Sequence, residues 1–257
     1  AFISGFSSAS SRKLIITVAA SAPTLYYYCY YHSGMGGAVN TNSTLGSSNF
    51  DGSIQSTVKA NTTAGFSIVT YTRNGGLITV GHGLGAAPNI YIRKRRDSSD
   101  SWIAYNTIID GSMDILILNS MDAKSNSGFT APTSTTFYDD DSGDMVVYAF
   151  SEVAGYSKFG MYKGTGSTNG AFVYTGFRPA LVITKQTNAA GSWFLFDNKR
   201  NGSNETEPYV MSNVSNTEAS DLGWDLLSNG FKNRNSYVAT NSLGADYLYL
   251  AFAESPF

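Results

Sequence analysis

The chain has 257 residues, with 42% hydrophobic residues, only 14% charged residues and a formal net charge of −2. The hydrophobic share is normal for a globular protein, and the length suffices for one large domain or two to three small domains. The near-neutral charge gives no electrostatic reason for binding nucleic acid or an anionic membrane, and the single cysteine excludes an intrachain disulfide.

A tyrosine-rich run followed by a glycine-rich bend, "YYYCYYHSGMGG", stands out in the N-terminal segment. Cys29, His32 and Met35 are ligand types of a blue-copper site, and their spacing resembles the C-terminal ligand loop of cupredoxins. On an extended strand Cys29 and His32 face opposite sides unless the bend folds the chain back. A copper site also needs a second histidine, yet residues 1–28 contain none and His82 lies far downstream. We therefore reject a copper site and interpret the segment as a cupredoxin-like hairpin remnant.

An internal repeat organises the chain from residue 66 onward. The first copy spans residues 66–157 and the second copy spans residues 158–257. Equivalent residues at the start of each copy lie 91 positions apart, as in the pairs Tyr71 and Tyr162, Pro88 and Pro179, Lys94 and Lys185, and Trp102 and Trp193. Residues 146–153 match residues 248–255 at an offset of 102, so the second copy carries insertions, which we place around residues 198–208.

Each copy reads as short β-rich runs separated by turn-forming residues. The closing strand at 145–150 is apolar on both faces, which is typical of a strand in the middle of a sandwich. Only residues 216–227 favour a short helix. We predict an all-β protein with two tandem, related β-sandwich domains of jelly-roll type, residues 66–157 and 158–257. An N-terminal β-hairpin segment, residues 1–65, precedes them.

We interpret the residues whose side chains could take part in catalysis or metal binding as structural. The acidic turn at 138–145 lacks the ligand spacing of a calcium loop, and the basic run at 93–96 keeps one charge in its counterpart, so both are interpreted as solvated segments. Glu152 and Glu254 follow equivalent buried strands, which favours one structural role in both copies over a pair of glycosidase carboxylates. Motifs of nucleophilic, metal-dependent and nucleotide-dependent catalysis are absent from the sequence, so we predict no enzyme activity and no cofactor.

Several motifs together resemble a repeated domain of marine bacteriophage virion proteins, found in tail-fibre and tail-tip proteins. The resemblance covers residues 23–257 and rests on "VGHGLGAAPNIYIRK", "AFSEVAGYSKFG", "YTGFRPALVITK" and "AFAESPF". It implies a non-enzymatic structural or adhesive protein of the virion surface (a tail fibre, spike or decoration) that binds host glycans. The alternatives are a secreted or cell-surface bacterial adhesin or sheath subunit and, in third place, a glycan depolymerase.

The same resemblance implies the partners. We expect a homo-oligomer, with a trimer favoured by analogy with phage fibres, in contact with other virion proteins, and neither nucleic-acid binding nor membrane insertion. The tyrosine-rich strand of residues 1–65 would pack against a neighbouring subunit. The turns at 97–101 and 187–192 would face the host, with Trp102, Tyr105 and Trp193 the nearest aromatic residues able to stack on sugars. Core packing remains the favoured interpretation of the two tryptophans.

Overall fold

The computed structural model describes residues 25–29, 31–32, 34, 36–39, 46–73, 75–200 and 204–256. The chain divides into two compact units, residues 1–47 and residues 48–257. None of the helices in these described ranges has the length and apolar character needed to cross a membrane.

The first unit contains an antiparallel hairpin of β1 (Leu25–Tyr28) and β2 (Gly36–Val39). Tyr26 lies opposite Ala38, and Tyr28 lies opposite Gly36. Because the two tyrosines are two positions apart on one strand, their side chains share a face of the hairpin. Both tyrosines are exposed.

The second unit confirms the predicted all-β class. Its first part contains β3 (Ser47–Asn49), β4 (Ser56–Asn61), β5 (Phe66–Arg73), β6 (Ile78–Gly81), β7 (Ile90–Arg95), β8 (Ile103–Asn106), β9 (Asp114–Ile117), β10 (Ser125–Asn126), β11 (Thr136–Asp139) and β12 (Gly143–Phe150). Its second part contains β13 (Ser157–Lys163), β14 (Phe172–Tyr174), β15 (Pro179–Gln186), β16 (Trp193–Asp197), β17 (Glu205–Thr206), β18 (Tyr209–Met211), β19 (Trp224–Leu227), β20 (Gly230–Asn233), the short helix α1 (Val238–Asn241) and β21 (Asp246–Ala253). The expected helix at 216–227 is wrong, since that stretch ends in β19.

The strands β3 to β12 form the first sandwich. Eight of them make a large sheet in the order β10-β9-β8-β7-β12-β5-β4-β3, and β11 and β6 make a small sheet. Val69, Tyr91 and Met145 of the large sheet pack with Val80 and Phe137 of the small sheet in one buried core. Two sheets that share such a core define a β-sandwich.

The strands β13 to β21 form the second sandwich. Its large sheet has the order β13-β21-β15-β16-β18, and its small sheet has the order β14-β20-β19-β17. Val182, Phe196 and Tyr247 pack against Trp224 and Phe231 across the space between these sheets. The predicted insertion around residues 198–208 contains β17, the edge strand of the small sheet.

The repeat in the sequence has a counterpart in the strand order and in the register. The order β9-β8-β7-β12-β5 of the first large sheet matches the order β18-β16-β15-β21-β13 of the second. Tyr71 lies opposite Met145, and its equivalent Tyr162 lies opposite Tyr247. The same agreement holds in the small sheets, where Val80 lies opposite Phe137 and Val173 lies opposite Phe231.

The boundary of the N-terminal segment lies earlier than predicted. We placed it at residue 65, but β3 and β4 extend the first large sheet beyond β5. Lys59 of β4 lies opposite Ile68 of β5, so β4 supplies backbone partners for an edge that β5 would otherwise expose. Gly52 also bridges Val80 of the small sheet. Residues 48–65 therefore belong to the first sandwich.

The two sandwiches pack through the outer faces of their large sheets. Ile90 and Leu116 of the first sandwich lie in one buried apolar cluster with Trp193, Leu248 and Leu250 of the second. Because the outer faces of both large sheets are apolar at these positions, each sheet is covered on both sides there. The second unit is thus layered as small sheet, large sheet, large sheet, small sheet.

Polar contacts fasten this junction at one end. The backbone nitrogen of Lys124 donates to the carbonyl of Thr187, and the nitrogen of Gly191 donates to the carbonyl of Met121, both at 2.8 Å. Lys185 is fully buried beside them and donates its ammonium group to the carbonyls of Met121 at 3.2 Å and Gln186 at 2.9 Å. Burial disfavours the charged amine and lowers the pKa of Lys185 to about 8, although Asp122 opposes the shift.

Lys185 should make the stability of the protein depend on pH. An unfolded lysine has a pKa of 10.5, so between pH 8 and pH 10.5 the unfolded chain binds more protons and stability should rise with pH. Below pH 8 Lys185 is protonated in both the folded and the unfolded chain, so its contribution to stability no longer changes with pH. Urea unfolding between about pH 8 and pH 10 measures the rise, before the tyrosines of the unfolded chain ionise near pH 10.

The substitution Lys185→Met should flatten this rise. Lys94→Met is the matched control, because Lys94 is the equivalent residue of the first copy and its ammonium group donates to Asp100 in an exposed contact. An unchanged rise in Lys185→Met would show that another group causes the dependence.

Candidate functional site

Two of the three aromatic residues predicted to contact glycans are buried. Trp193 is 1% exposed and Tyr105 is 3% exposed, so neither ring can stack on a sugar. The prediction is wrong for Tyr105, whereas the burial of Trp193 confirms the favoured interpretation of core packing. Trp193 inserts between the two large sheets, where its indole nitrogen donates to the carbonyl of Ile117 at 2.9 Å. Tyr105 lies inside the first sandwich and stacks on Tyr91, with 4.9 Å between ring centroids.

The two turns predicted to face the host have different surroundings. Residues 97–100 are exposed, as expected for a free turn. In the turn at 187–192, Thr187 and Gly191 are bonded to the first sandwich, and only the tip at 188–190 is exposed. The turn of the first copy is therefore free, whereas the equivalent turn of the second copy is hydrogen-bonded to the first sandwich.

Trp102, which directly follows the free turn, is partly exposed and ends a row of aromatic side chains. Its ring stacks on Tyr148 with 6.3 Å between centroids, and Tyr148 stacks on Phe66 at 6.5 Å. Phe66 in turn contacts Phe150 at 4.9 Å. All four side chains are partly exposed, because the second sandwich covers this side of the large sheet incompletely. We call Trp102, Tyr148, Phe66 and Phe150 the aromatic row.

A cavity of about 320 Å³ lies where the aromatic row meets the second sandwich. Phe66, Phe150 and Phe252 supply its apolar walls, and Asn61 and Ser151 supply polar groups. The described residues that line it include no carboxylate and no histidine. Aromatic faces beside hydroxyl and amide groups can hold an amphipathic ligand such as a pyranose ring, but this set offers no acid–base pair for catalysis.

The inside of the first sandwich contains a buried charge network. Arg93 was interpreted as part of a solvated run, but it is 3% exposed and forms ion pairs with Asp139 and Asp141, the second at 3.0 Å. Tyr71 donates to Asp139 at 2.7 Å. Burial, reinforced by Asp139, raises the pKa of Tyr71 well above its ordinary value, so the phenol stays neutral. Asp139 is 1% exposed, which also corrects the interpretation of the acidic turn as fully solvated.

The second sandwich fills the same three positions without charge. Register places Tyr162, Thr184 and Asn233 where the first copy has its tyrosine, arginine and aspartate. Tyr162 donates to the carbonyl of Thr240 at 2.7 Å and lies 3.2 Å from the hydroxyl of Thr184. Asn233 donates to the same carbonyl at 3.1 Å. Neutral side chains thus form an equivalent buried hydrogen-bond network in the second sandwich. This favours a structural role for the charged network of the first sandwich.

Cys29 and His32 lie together in the N-terminal unit. The sulfur of Cys29 is 3.1 Å from Nδ1 of His32, so the chain bends back instead of keeping the two residues on opposite faces. Met35 lies outside the described residues. His82 is buried, with Nδ1 accepting from the nitrogen of Leu84 at 3.2 Å. No cluster of three or more His, Cys, Asp and Glu with metal-binding geometry occurs in the described part of the chain.

Glu152 and Glu254 each make local contacts. Glu152 pairs with Lys158 at 2.6 Å and accepts from the backbone nitrogen of Phe159 at 3.1 Å. Glu254 accepts from Asn198 at 2.8 Å and lies 3.5 Å from Arg178. Both carboxylates therefore hold neighbouring segments of the second copy in place, which suits the structural role expected for them.

The comparisons with known proteins identify the family. The model of the DUF7483 family, described as a domain of unknown function, matches residues 39–256, and the chain belongs to this family. The search of curated proteins found no match, and the search of solved structures found none either. The matched range includes both sandwiches, so the repeated pair lies within one family domain.

Replacing Asp139 by Asn should strongly destabilise the protein, because it leaves the buried charge of Arg93 without its closest partner. The expected loss is about 3–5 kcal/mol in the free energy of unfolding, measured by denaturant titration. The double variant Arg93→Thr/Asp139→Asn copies the neutral residues of the second sandwich and should recover part of that loss. A single variant as stable as the wild type, or a double variant less stable than the single one, would contradict this interpretation.

Cys29, His32 and Met35 should not form a blue-copper site. Adding Cu(II) to the purified protein should produce no intense absorption near about 600 nm, since a second histidine ligand is missing from the upstream sequence. Cys29→Ser serves as the control and should give the same spectrum as the wild type. An intense band that disappears in Cys29→Ser would overturn the prediction.

Proposed function

We propose that the chain is a non-enzymatic structural and adhesive protein of a virion surface, a tail fibre, spike or decoration, that binds host-surface glycans. The observation that carries this proposal is the aromatic row with its adjoining cavity. Aromatic rings bind the apolar faces of sugars, while nearby hydroxyl and amide groups bond sugar hydroxyls. The placement on a virion, and hence outside the cell, rests on the sequence resemblance to phage virion proteins.

The scaffold suits presentation of a binding surface. Phe66 lies on β5, and Tyr148 and Phe150 lie on β12, both interior strands of the first large sheet, while Trp102 directly precedes β8. Side chains fixed on paired strands lose little further freedom when a ligand binds, because the sheet already holds them in place. A rigid scaffold is also useful in a particle that must remain assembled outside a cell.

The N-terminal hairpin supports the proposal of a homo-oligomer, with a trimer favoured. Tyr26 is 77% exposed and Tyr28 is 74% exposed on one face of a two-stranded sheet. An isolated hairpin is marginally stable in water, and exposed aromatic rings gain free energy when another surface covers them. A second copy of the chain is the partner that we propose for this face. Repetition of weak glycan sites on such an oligomer would raise the overall avidity.

The aromatic row should determine glycan binding. On an array of bacterial surface polysaccharides, Trp102→Ala and Tyr148→Ala should each weaken binding about tenfold, because each removes a ring that stacks on the sugar. Leu243→Ala is the matched control, since Leu243 is an exposed apolar residue, 80% exposed, outside the row. Binding that is equal in all variants would contradict a role for the row.

A separate experiment tests whether the protein belongs to a virus particle, to a bacterial surface or to a glycan-degrading enzyme. Antibodies raised against the purified protein should label intact virus particles in electron microscopy, and the mass in solution should be that of an oligomer. Labelling of bacterial surfaces alone would favour the adhesin or sheath subunit instead. Hydrolysis of an array polysaccharide that is lost in Glu152→Gln or Glu254→Gln would favour the depolymerase.

A further inference from the structure

The outer face of the small sheet in the second sandwich exposes two aromatic residues. Phe172 is 47% exposed and Tyr174 is 65% exposed, while Val173 between them is buried in the core. Both rings therefore project outward from β14, an edge strand that pairs only with β20 among the described residues. Gly230 lies opposite Tyr174, and a Cβ atom at Gly230 would collide with the carbonyl of Val173 and crowd the ring of Phe172, which lies against the glycine.

The equivalent face of the first sandwich is covered by the chain itself. Register places Thr79 at the position of Phe172 and Gly81 at the position of Tyr174. Ser53 donates its backbone nitrogen to the hydroxyl of Thr79 at 3.0 Å, and Asn49 and Asp51 lie directly over Gly81. Residues 49–53 thus close the face that the second sandwich leaves open.

Tyr174 prevents the second sandwich from being closed in the same way. A Cβ atom at Gly81 would collide with the side chain of Asn49, so even alanine would displace the covering segment. A tyrosine at that position leaves no room for such a segment. The small sheet of the first sandwich is therefore covered by a peptide segment, whereas the equivalent face of the second sandwich presents aromatic rings.

The charge beside these rings indicates the ligand. Lys232 lies opposite Phe172 and donates to the amide oxygen of Asn169 at 2.6 Å, but it forms no ion pair within the described part of the chain. Asp225 lies directly opposite Lys232 in the register and 3.4 Å from Arg234, so two cations and one carboxylate leave a net positive charge beside the rings. An aromatic pair beside a net positive charge complements a sugar that carries a carboxylate.

We propose that Phe172, Tyr174 and Lys232 form a second glycan site, distinct from the aromatic row, that binds polysaccharides containing uronic acid residues. The two rings stack on pyranose faces, and Lys232 pairs with the carboxylate. Asn169, which bonds Lys232, and Asp225, which lies opposite Lys232 in the register, are close enough to accept hydrogen bonds from sugar hydroxyls. This inference rests on the proposed glycan-binding function and assigns to it a second site and a chemical class of ligand.

Affinity electrophoresis of the full chain in gels containing polygalacturonate or neutral dextran tests this site. We expect retardation by polygalacturonate, and an apparent Kd that rises about tenfold in Tyr174→Ala and in Phe172→Ala. Lys232→Met should weaken polygalacturonate binding and reduce its dependence on salt, since it removes the cation but keeps the length of the side chain. Leu243→Ala should bind like the wild type.

The outcomes separate this inference from the general proposal. Loss of binding in Trp102→Ala but not in Tyr174→Ala or Lys232→Met would overturn the second site and leave the aromatic row in place. Equal binding to dextran and polygalacturonate would overturn the uronic acid assignment. Loss of polygalacturonate binding in Tyr174→Ala and Lys232→Met would support the site, even if antibodies failed to label virus particles.

Discussion

The architecture depends on the apolar contact between the two large sheets. Each sandwich has its own core, but the outer face of each large sheet is also apolar and must be covered. Packing these faces together buries Trp193 and the leucines of β21, and it fixes which parts of each sheet stay at the surface. The aromatic row is partly exposed because the second sandwich covers the β12–β5 side of the first only in part.

Duplication gave the two sandwiches the same strand order but different surfaces. Trp102 and Trp193 are equivalent in sequence, yet one lies at the rim of the junction and the other lies inside it. The small sheets differ in a comparable way, since the segment preceding the first sandwich covers β6 whereas β14 has aromatic rings at the same positions. The binding surfaces that we propose therefore lie where the two copies of the repeat differ.

The sequence was informative about strands and much less so about surfaces. Short β-rich runs separated by turn-forming residues predicted the all-β class. The two apolar faces of residues 145–150 predicted a strand covered on both sides, as β12 partly is. The burial of Arg93 escaped prediction, because a run of four basic residues looks solvated unless the partner Asp139, 46 positions away, is known. Tyr105 was misassigned for a related reason, since its burial depends on the small sheet that covers β8. The position of Trp193 inside the junction depends on how the two sandwiches pack. The exposed rings of β14 could have been suspected from the alternation in "FVY", but a three-residue strand gives too short a pattern for that.

The three tryptophans lie in three different environments, and this has a practical consequence. Trp102 is at the solvent-accessible rim, Trp193 is between the sandwiches with a bonded indole nitrogen, and Trp224 is fully buried in the second core. The protein thus carries one intrinsic fluorophore at the exposed end of the aromatic row, one between the two sandwiches and one in the core of the second sandwich. Variants that keep one tryptophan each would let an experimenter follow ligand contact, separation of the sandwiches and melting of the second sandwich as separate optical signals, without attaching any dye.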